Sequence, residues 1–416
     1  RIGGMQVPAT RRTVLGAGLA AIAAPAMAAT PTAPSPPATF GIGALFPFSG
    51  PLSQLGDESF RGLDLAVDER NAAGGLLGRQ IALLRGDAAD QPQATAEAKR
   101  LTEKSGARTM FGSYASAVSF AASVVTELAG VPFFELDALA DAITERGLKL
   151  LFRSGPLASA TGVLAVDTVA DLLAPHWQSE PAKLSVAILH EDGIAGTALA
   201  NAQETRCRER GFVHAERIAY GIGILDFAPT VERLRANNVD VVLHAAQIND
   251  VLLFHRAMQQ AGWRPRMVIG ANGGYSLNDT AQMLGAAFQG VMSVGVTPYR
   301  VSDVVAPGVG ELAAAYQRKY GAPPRSGHSL VAFAGARIFF DIIQRAGGLE
   351  RDKLRAAVLA TDIPPGATVG GFGAKFDERG QNMRAMPYLA QWQGGALVTV
   401  APMEAAVAQA VPVLGG

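Results

Sequence analysis

The sequence predicts an α/β protein of two similar lobes, each built on a doubly wound parallel sheet, with a cleft between them. Short apolar runs alternate with amphipathic stretches from Phe40 onward, which is the order of strands and helices in a parallel sheet. The same order restarts near Leu184, so the chain holds two such units. Of the 416 residues, 49% are hydrophobic and 17% are charged, as expected of a chain that buries a core.

The first unit is clearest in the helix predicted over Glu58–Ala73. Phe60, Leu63 and Val67 fall on one face of this helix, and Gly74-Gly75 can supply a left-handed stop. The strands predicted beside it are Phe40–Leu45, Gln80–Leu84, Thr109–Phe111 and Pro132–Glu135, and the other helices are Gln91–Lys104 and Ser116–Leu128.

The second unit repeats this alternation, and a helical tail follows it. Its predicted strands are Leu184–Leu189, Ile218–Tyr220, Val239–Leu243 and Met267–Ile269, and its helices are Gly196–Gly211, Phe227–Ala236, Asp250–Ala261 and Asn278–Leu284. The tail is predicted to contain the helices Gly308–Tyr320, Ser329–Ala346 and Arg351–Leu359 and the strands Ala374–Phe376 and Tyr388–Trp392. We expect the chain to cross between lobes more than once, with 40–157 and 295–372 in the first lobe, 158–294 and 373–402 in the second, and a C-terminal tail at 403–416.

The N-terminus has the pattern of a signal peptide over residues 1–28, followed by a Pro-rich linker over 29–39. Arg11-Arg12 precedes a short apolar run that ends in Ala26-Met27-Ala28, so we expect cleavage near Ala28 and a periplasmic protein. The arginine pair is similar to a twin-arginine signal, although Val14 and Gly16 depart from its usual residues. Both the twin-arginine and the general export routes remain open.

Several classes of function are disfavoured by the composition. The leader carries three of the 36 basic residues and no acidic one, leaving 33 basic against 36 acidic residues, and no basic patch predicts binding to nucleic acid. The six histidines show neither metal-ligand spacing nor a nucleophile partner. Cys207 is the only cysteine, so an intramolecular disulfide is impossible. We therefore expect a monomeric binding protein with no enzymatic activity, cofactor or metal.

Ligands of open parallel sheets bind at the carboxyl ends of the strands, and this rule selects a set of loops. Two of them place small hydroxyl and backbone donors before a helix N-terminus, which favours an anionic group such as a carboxylate. The selected loops are 47–51, 112–116, 135–139, 190–196, 244–249 and 270–275.

Motifs along nearly the whole mature chain resemble the Leu/Ile/Val-binding family of ABC-transporter substrate-binding proteins, which have the periplasmic-binding-protein type I fold. These motifs are Pro47–Pro51 with Gly56, Leu65–Arg79, Asp87, Asp90-Gln91-Pro92, Gly112–Ser116, Gly130-Val131-Pro132, Ala142-Ile143-Thr144 and Phe152-Arg153. The resemblance implies a protein that captures an amino acid, an amide or a small organic acid and delivers it to an ABC permease and ATPase at the inner membrane. A periplasmic sensor of the same fold is the alternative.

The resemblance also implies a ligand site. It places Ser116 at the carboxylate-binding position, whereas Asn272 stands where the ammonium-binding Glu is expected and Ala195 where a capping Tyr is usual. Leu55 replaces an aromatic residue near the mouth of the cleft. The residues expected to bind ligand are Phe48, Leu55, Ser113, Tyr114, Ser116, Asp137, Ala138, Leu139, Ala195, Gln247, Asn272 and Tyr275.

Several of these roles have simpler alternatives. Ser116 can instead cap the helix that follows it, and Asp137 and Asn272 can be turn residues. Tyr114 and Tyr275 can form a cleft wall or ordinary rim packing. A buried ammonium needs a charged partner, so either Asp137 or Glu135 supplies it from the first lobe or the ligand carries no amine.

Overall fold

The computed structural model describes residues 39–415. The predicted signal peptide and all but the last residue of the predicted linker lie outside this range. The described residues form two sheets, and each sheet is the centre of one lobe.

The first lobe contains a five-stranded parallel sheet in the order β2-β1-β3-β4-β5. Its strands are β1 (Phe40–Phe46), β2 (Ile81–Asp87), β3 (Thr109–Gly112), β4 (Phe133–Glu135) and β5 (Leu151–Arg153). The helices between them are α1 (Ser53–Ala72), α2 (Gln91–Lys99), α3 (Ser116–Leu128) and α4 (Ala142–Glu145). Because all five strands are parallel, the loops that follow β1, β3 and β4 open on one edge of the sheet.

The second lobe contains a seven-stranded sheet in the order β12-β11-β10-β9-β8-β6-β7. The five strands from β10 to β7 are parallel, and β11 and β12 add an antiparallel hairpin. The strands are β6 (Ser185–Glu191), β7 (His214–Tyr220), β8 (Val241–Ala245), β9 (Met267–Ala271), β10 (Met292–Gly295), β11 (Tyr388–Gln393) and β12 (Ala396–Ala401). Its helices are α5 (Ala158–Asp167), α6 (Ala174–His176), α7 (Ile194–Glu209), α8 (Ala228–Ala236), α9 (Ile248–Ala261) and α10 (Asn278–Leu284).

Three later helices return to the first lobe: α11 (Val309–Tyr320), α12 (His328–Ala346) and α13 (Arg351–Leu359). Their apolar faces share a core with β1, β3 and β4. Helix α12 lies against α1 so closely that a Cβ on Gly62 would be 2.1 Å from the Ser329 carbonyl oxygen. This packing fixes the first turn of α12 beside the strand ends of the first lobe.

The segment predicted as a strand at Ala374–Phe376 is not a strand. Ala374 and Phe376 form only isolated bridges, to Ile363 and Asn382, and both pack in the core of the first lobe. The chain enters the sheet of the second lobe at β11, later than the boundary drawn at 373. The final residues contact the second lobe, where Trp177 Nε1 donates to the Pro412 carbonyl oxygen at 2.8 Å.

Helix α5 was not predicted, although it starts the second lobe. A π-helical turn over Thr168–Leu173 joins it to α6, and the whole segment Ala158–His176 is apolar and long enough to cross a membrane. Ala165, Val166 and Leu173 are nevertheless buried in the core of the second lobe, which also contains residues of β6 and β8. The segment therefore has the packing of a core helix.

Cys207 provides a direct test of this core. Its thiol is buried in α7, and burial raises its pKa to about 12. Because the thiolate is the reactive form, we expect native Cys207 to react with Ellman's reagent at least about 100-fold more slowly than the same residue in guanidinium chloride. Glutathione in each buffer corrects for the effect of denaturant on the reagent, and equal corrected rates would contradict this packing.

Candidate ligand-binding cleft

A small cavity lies between the two lobes, at the carboxyl ends of the strands. Asp137 and Leu139 line it from the loop after β4, and Asn272 and Ser276 line it from the loop after β9. His328, the first residue of α12, completes this group. The cavity volume is about 30 Å³, enough for about two water molecules. A ligand as large as an amino acid therefore requires the lobes to separate.

A larger cavity, of about 360 Å³, lies in the second lobe beside His255 and Trp263. It is walled by residues after the end of α9 and by Leu414 and Gly415, and so lies at the amino ends of the parallel strands. The interlobe cavity, in contrast, lies at the carboxyl ends, where the ligand site is predicted.

Tyr114 connects the lobes beside the interlobe cavity. Its hydroxyl lies 3.0 Å from Gln247 Oε1 and accepts a hydrogen bond from the Gly273 amide at 3.2 Å. Gly273 has no room for a side chain, because a Cβ there would be 2.3 Å from Tyr114 Oη and 2.6 Å from a methyl carbon of Leu55. Tyr114, Leu55 and Gln247 thus lie together at the interlobe contact, and Gly273 is a contact residue that was not predicted.

A second connection between the lobes runs through His328. Its Nδ1 lies 2.8 Å from Asp137 Oδ2, and its Nε2 lies 3.2 Å from the Ser276 hydroxyl oxygen. Asp137 also accepts a hydrogen bond from the Ser59 hydroxyl. His328 was missed because it is 191 residues from Asp137 in the chain, and only the packing of α12 brings the two together.

Glu135 organises the loop that carries Asp137. Its carboxylate accepts hydrogen bonds from the amides of Ser113, Asp137 and Ala138 at 2.8, 2.9 and 2.8 Å. The Ser113 hydroxyl also donates to it, at 3.1 Å. Burial raises the pKa of Glu135, although these hydrogen bonds oppose the shift. Ser113 and Ala138 therefore hold the loop in shape, and the structure does not place them in the lining of the cavity.

Leu139 is held by Arg153, which is fully buried. The guanidinium donates to the carbonyl oxygens of Ala138 and Ala140 at 3.2 and 2.7 Å, on either side of Leu139. Burial lowers the pKa of Arg153 to about 10, and Glu135 opposes this decrease. The backbone on both sides of Leu139 is thus fixed by a buried charged group.

Ser116 is the first residue of α3, but its hydroxyl does not cap that helix. Its oxygen accepts a hydrogen bond from the Ala140 amide at 3.2 Å. The alternative reading as a helix cap is therefore wrong. Ser116 does not line the cavity, but a hydroxyl that accepts one bond can still donate its proton, so Ser116 can donate to an anion at the N-terminus of α3.

Asn272 has an unusual backbone, with φ of 75° and ψ of 168°, a region that residues other than glycine rarely occupy. Its Oδ1 accepts a hydrogen bond from the Gly273 amide at 3.2 Å. Its Nδ2 is buried and has no hydrogen-bond partner among residues 39–415. Asn272 thus turns the chain at the cavity and retains an unused donor there.

Two aromatic residues that were expected to bind ligand lie elsewhere. Tyr275 is fully buried in the core of the second lobe, where its hydroxyl is 2.7 Å from His244 Nδ1. The prediction that it faces the cleft is wrong, because the helical turn after Asn272 directs it inward over Gly270. Phe48 packs edge-on against Phe60, with ring centroids 5.1 Å apart, and does not line the cavity.

Ala195 is also absent from the cavity wall. It is in the first turn of α7, close to Glu191, and the amides of Gly196 and Gly193 donate to the Glu191 carboxylate. In the described residues, no group of three histidine, cysteine or acidic side chains is arranged to hold a metal ion.

Residues 39–396 match the family model described as periplasmic binding protein. A Leu/Ile/Val-binding protein homolog from Brucella abortus is 43% identical over 369 residues, covering 88% of this chain and 92% of the relative. Two solved structures share the fold. One is the branched-chain amino acid transporter substrate-binding protein LivJ from Streptococcus pneumoniae, in complex with isoleucine, at a TM-score of 0.73, 22% identity and coverages of 88% and 100%.

The other is a solute-binding protein of an ABC transporter from R. palustris, in complex with benzoate, at a TM-score of 0.74 and 20% identity. That alignment covers 90% of this chain and 99% of the other. The family match, the relative and the two sheets, one parallel and one mostly parallel, agree with the resemblance and the fold predicted from the sequence. The chain therefore belongs to the periplasmic-binding-protein family that contains the Leu/Ile/Val-binding proteins.

Proposed function

We propose that this protein is the periplasmic substrate-binding component of an ABC uptake transporter, and that it captures an amino acid or a related small carboxylate or amide between its lobes. The observation that carries this proposal is the pair of interlobe connections at the cavity, Tyr114 with Gln247 and His328 with Ser276. Each connection joins a residue of the first lobe to one of the second, so separating the lobes breaks both. A ligand can therefore be enclosed by closure.

Capture begins on the first lobe in the proposed mechanism. Ser116 and the N-terminus of α3 offer donors to a carboxylate, while Leu139 contacts the apolar part of the ligand. Closure then brings Asn272 and Ser276 onto the other side. A ligand that contacts both lobes binds the closed state more tightly and so shifts the population toward it.

The ligands of the two solved structures are consistent with this class. One structure holds isoleucine and the other benzoate, and both molecules combine a carboxylate with an apolar body. The interlobe cavity offers the same combination, since Val294, Val296 and Leu397 line it together with its polar residues.

The location and the protein partners are part of the proposal. The signal-peptide pattern over residues 1–28 supports export, and the family supports work in the periplasm. An ABC permease and its ATPase would receive the closed protein at the inner membrane.

The proposed function is tested by a thermal-shift screen of amino acids, amides and small organic acids with the purified mature protein. At a ligand concentration of 100 times Kd, we expect stabilisation of about 2.7 kcal/mol and a clear rise in Tm. A screen in which no compound of any class raises Tm contradicts the proposal.

Replacing Tyr114 by phenylalanine should weaken ligand binding by about 5- to 30-fold. The change removes the hydrogen bonds to Gln247 and Gly273, which form only when the lobes meet, and one or two such bonds contribute about 1–2 kcal/mol. Isothermal titration calorimetry with the best compound of the screen measures the effect. Tyr299→Phe is the matched control, because its hydroxyl contacts Ser329 within the first lobe. Equal affinities of the two variants would contradict the closure mechanism.

A further inference from the structure

Asn272 lines the cavity, and its side-chain amide keeps a hydrogen-bond donor without a partner. Its Oδ1 accepts a hydrogen bond from the Gly273 amide at 3.2 Å and lies 3.3 Å from the Tyr114 hydroxyl, a donor of the first lobe. Exchanging the oxygen and nitrogen of the side chain would place two donors against each other. Nδ2 therefore keeps its present place, buried at the cavity without an acceptor from the described residues.

An unpaired buried donor and an unfavourable backbone conformation are both costly. Asn272 combines the two, whereas a glycine would adopt this backbone without strain. The same side chain belongs to a residue that lines the space between the lobes, and its N–H has no acceptor from the described residues. A ligand atom that accepts a hydrogen bond would satisfy that donor.

The nearby carboxylates are already engaged. Asp137 contacts His328 through both oxygens, at 2.9 and 2.8 Å, and accepts from Ser59. Glu135 is enclosed by three amides and a hydroxyl. Glu191 caps the start of α7 and does not line the cavity. An ammonium group in the cleft would thus meet the Asn272 donor on the second lobe and a carboxylate shared with His328 on the first.

We infer that the cleft selects small carboxylic acids that carry an uncharged oxygen acceptor in the place where an amino acid carries its ammonium, as 2-oxo acids do. This inference rests on the proposed function and narrows its ligand class. According to this inference, Asn272 is a specificity-determining residue, and its Nδ2 donates to the ligand oxygen in the closed state.

Matched ligand sets test the inference on three skeletons. They are leucine, 4-methyl-2-oxopentanoate and 4-methylpentanoate; phenylalanine, phenylpyruvate and 3-phenylpropanoate; and glutamate, 2-oxoglutarate and glutarate. On the skeleton that binds, we expect the 2-oxo acid to have at least a 10-fold lower Kd than the amino acid, with the acid that lacks both groups between them. Thermal shift identifies the skeleton, and calorimetry gives each Kd.

The variant Asn272→Asp then tests whether Asn272 determines this specificity. One carboxylate oxygen can still accept from Gly273, while the other replaces the donor with a charged acceptor. We expect this variant to lose at least 10-fold in affinity for the 2-oxo acid and to gain affinity for the amino acid. Asn238→Asp is the matched control, because Asn238 also has positive φ, at 49°, but is exposed.

Two other outcomes would contradict the inference alone, and a third would contradict the proposed function. If the amino acid binds the unmodified protein as tightly as the 2-oxo acid, the inference is wrong and the proposed function stands. If Asn272→Asp changes Kd for all members of a set equally, Asn272 does not discriminate between these ligands, and the inference is also wrong. If no compound of the three sets or of the wider screen raises Tm, the proposed function itself fails.

Discussion

Replacement of Glu135 by alanine is expected to lower the free energy of unfolding by about 3–6 kcal/mol, because each buried donor left without an acceptor costs about 1–3 kcal/mol. Three amides, those of Ser113, Asp137 and Ala138, lose their acceptor together. All three are in loops beside the cleft, so the ligand-induced rise in Tm should also disappear. Urea denaturation of the wild type and the variant measures the first effect, and thermal shift the second.

Glu135→Gln is the matched control. The amide oxygen of glutamine can accept from the same three amides, so we expect at most about 1 kcal/mol of change at neutral pH. A loss as large as that of the alanine variant would show that the charge, and not the acceptor, holds the loop.

The difference in stability between Glu135→Gln and the wild type is also expected to depend on pH. Because burial raises the pKa of Glu135, the folded protein binds this proton more readily than the unfolded chain. The contribution of protonated Glu135 to the free energy of unfolding is complete below the pKa of glutamate in the unfolded chain, about 4.3. This contribution is lost as the pH rises through the raised pKa of the folded protein. The stability of Glu135→Gln relative to the wild type should therefore increase from pH 4 upward. A constant difference across that range would contradict the raised pKa.

Gly273→Val is expected to weaken ligand binding by about 10- to 100-fold with little change in the stability of the lobes. Overpacking a tight contact costs about 1–3 kcal/mol, and the new side chain would overlap Tyr114 and Leu55 of the opposite lobe. The cost arises only when the lobes close, because an open protein separates these residues. Calorimetry gives the affinity, and small-angle X-ray scattering with saturating ligand should show a larger radius of gyration than for the wild type.

Gly221→Val is the control for this substitution. Gly221 belongs to the second lobe, and a Cβ there would meet no atom within 4 Å. Its affinity and its radius of gyration should remain those of the wild type. If Gly273→Val binds and closes normally, the contact of Gly273 with the first lobe is not part of the mechanism.

Local patterns predicted most of the regular structure because they are visible over short stretches of chain. The spacing of Phe60, Leu63 and Val67 predicted α1, which buries all three residues. Helix α5 was missed because residues 158–176 are apolar on most faces and carry no clear period. Ala374 and Phe376 look like a short strand in sequence, but their partners, Ile363 and Asn382, provide only single bridges.

The site was harder to predict than the fold. Asp137, Leu139 and Asn272 follow strand ends, and the rule for parallel sheets placed them at the cavity. Ser113 and Ala138 also follow strand ends, yet a buried carboxylate three residues from Ala138 and 22 residues from Ser113 holds both in the loop scaffold. Which side chain of a loop faces the ligand depends on such contacts. Because these contacts do not recur at a regular spacing in the chain, a sequence pattern does not predict them.

The sequence by itself determined the two-lobed parallel-sheet fold, the family and the loops that form the cleft, because strand order and apolar spacing are properties of neighbouring residues. Only the tertiary structure decided that His328 joins Asp137, that Tyr275 belongs to the core, and that Gly273 touches Tyr114. These contacts join residues far apart in the chain. Their geometry follows from how α12 packs on α1 and how the second lobe closes on the first, which no local pattern records.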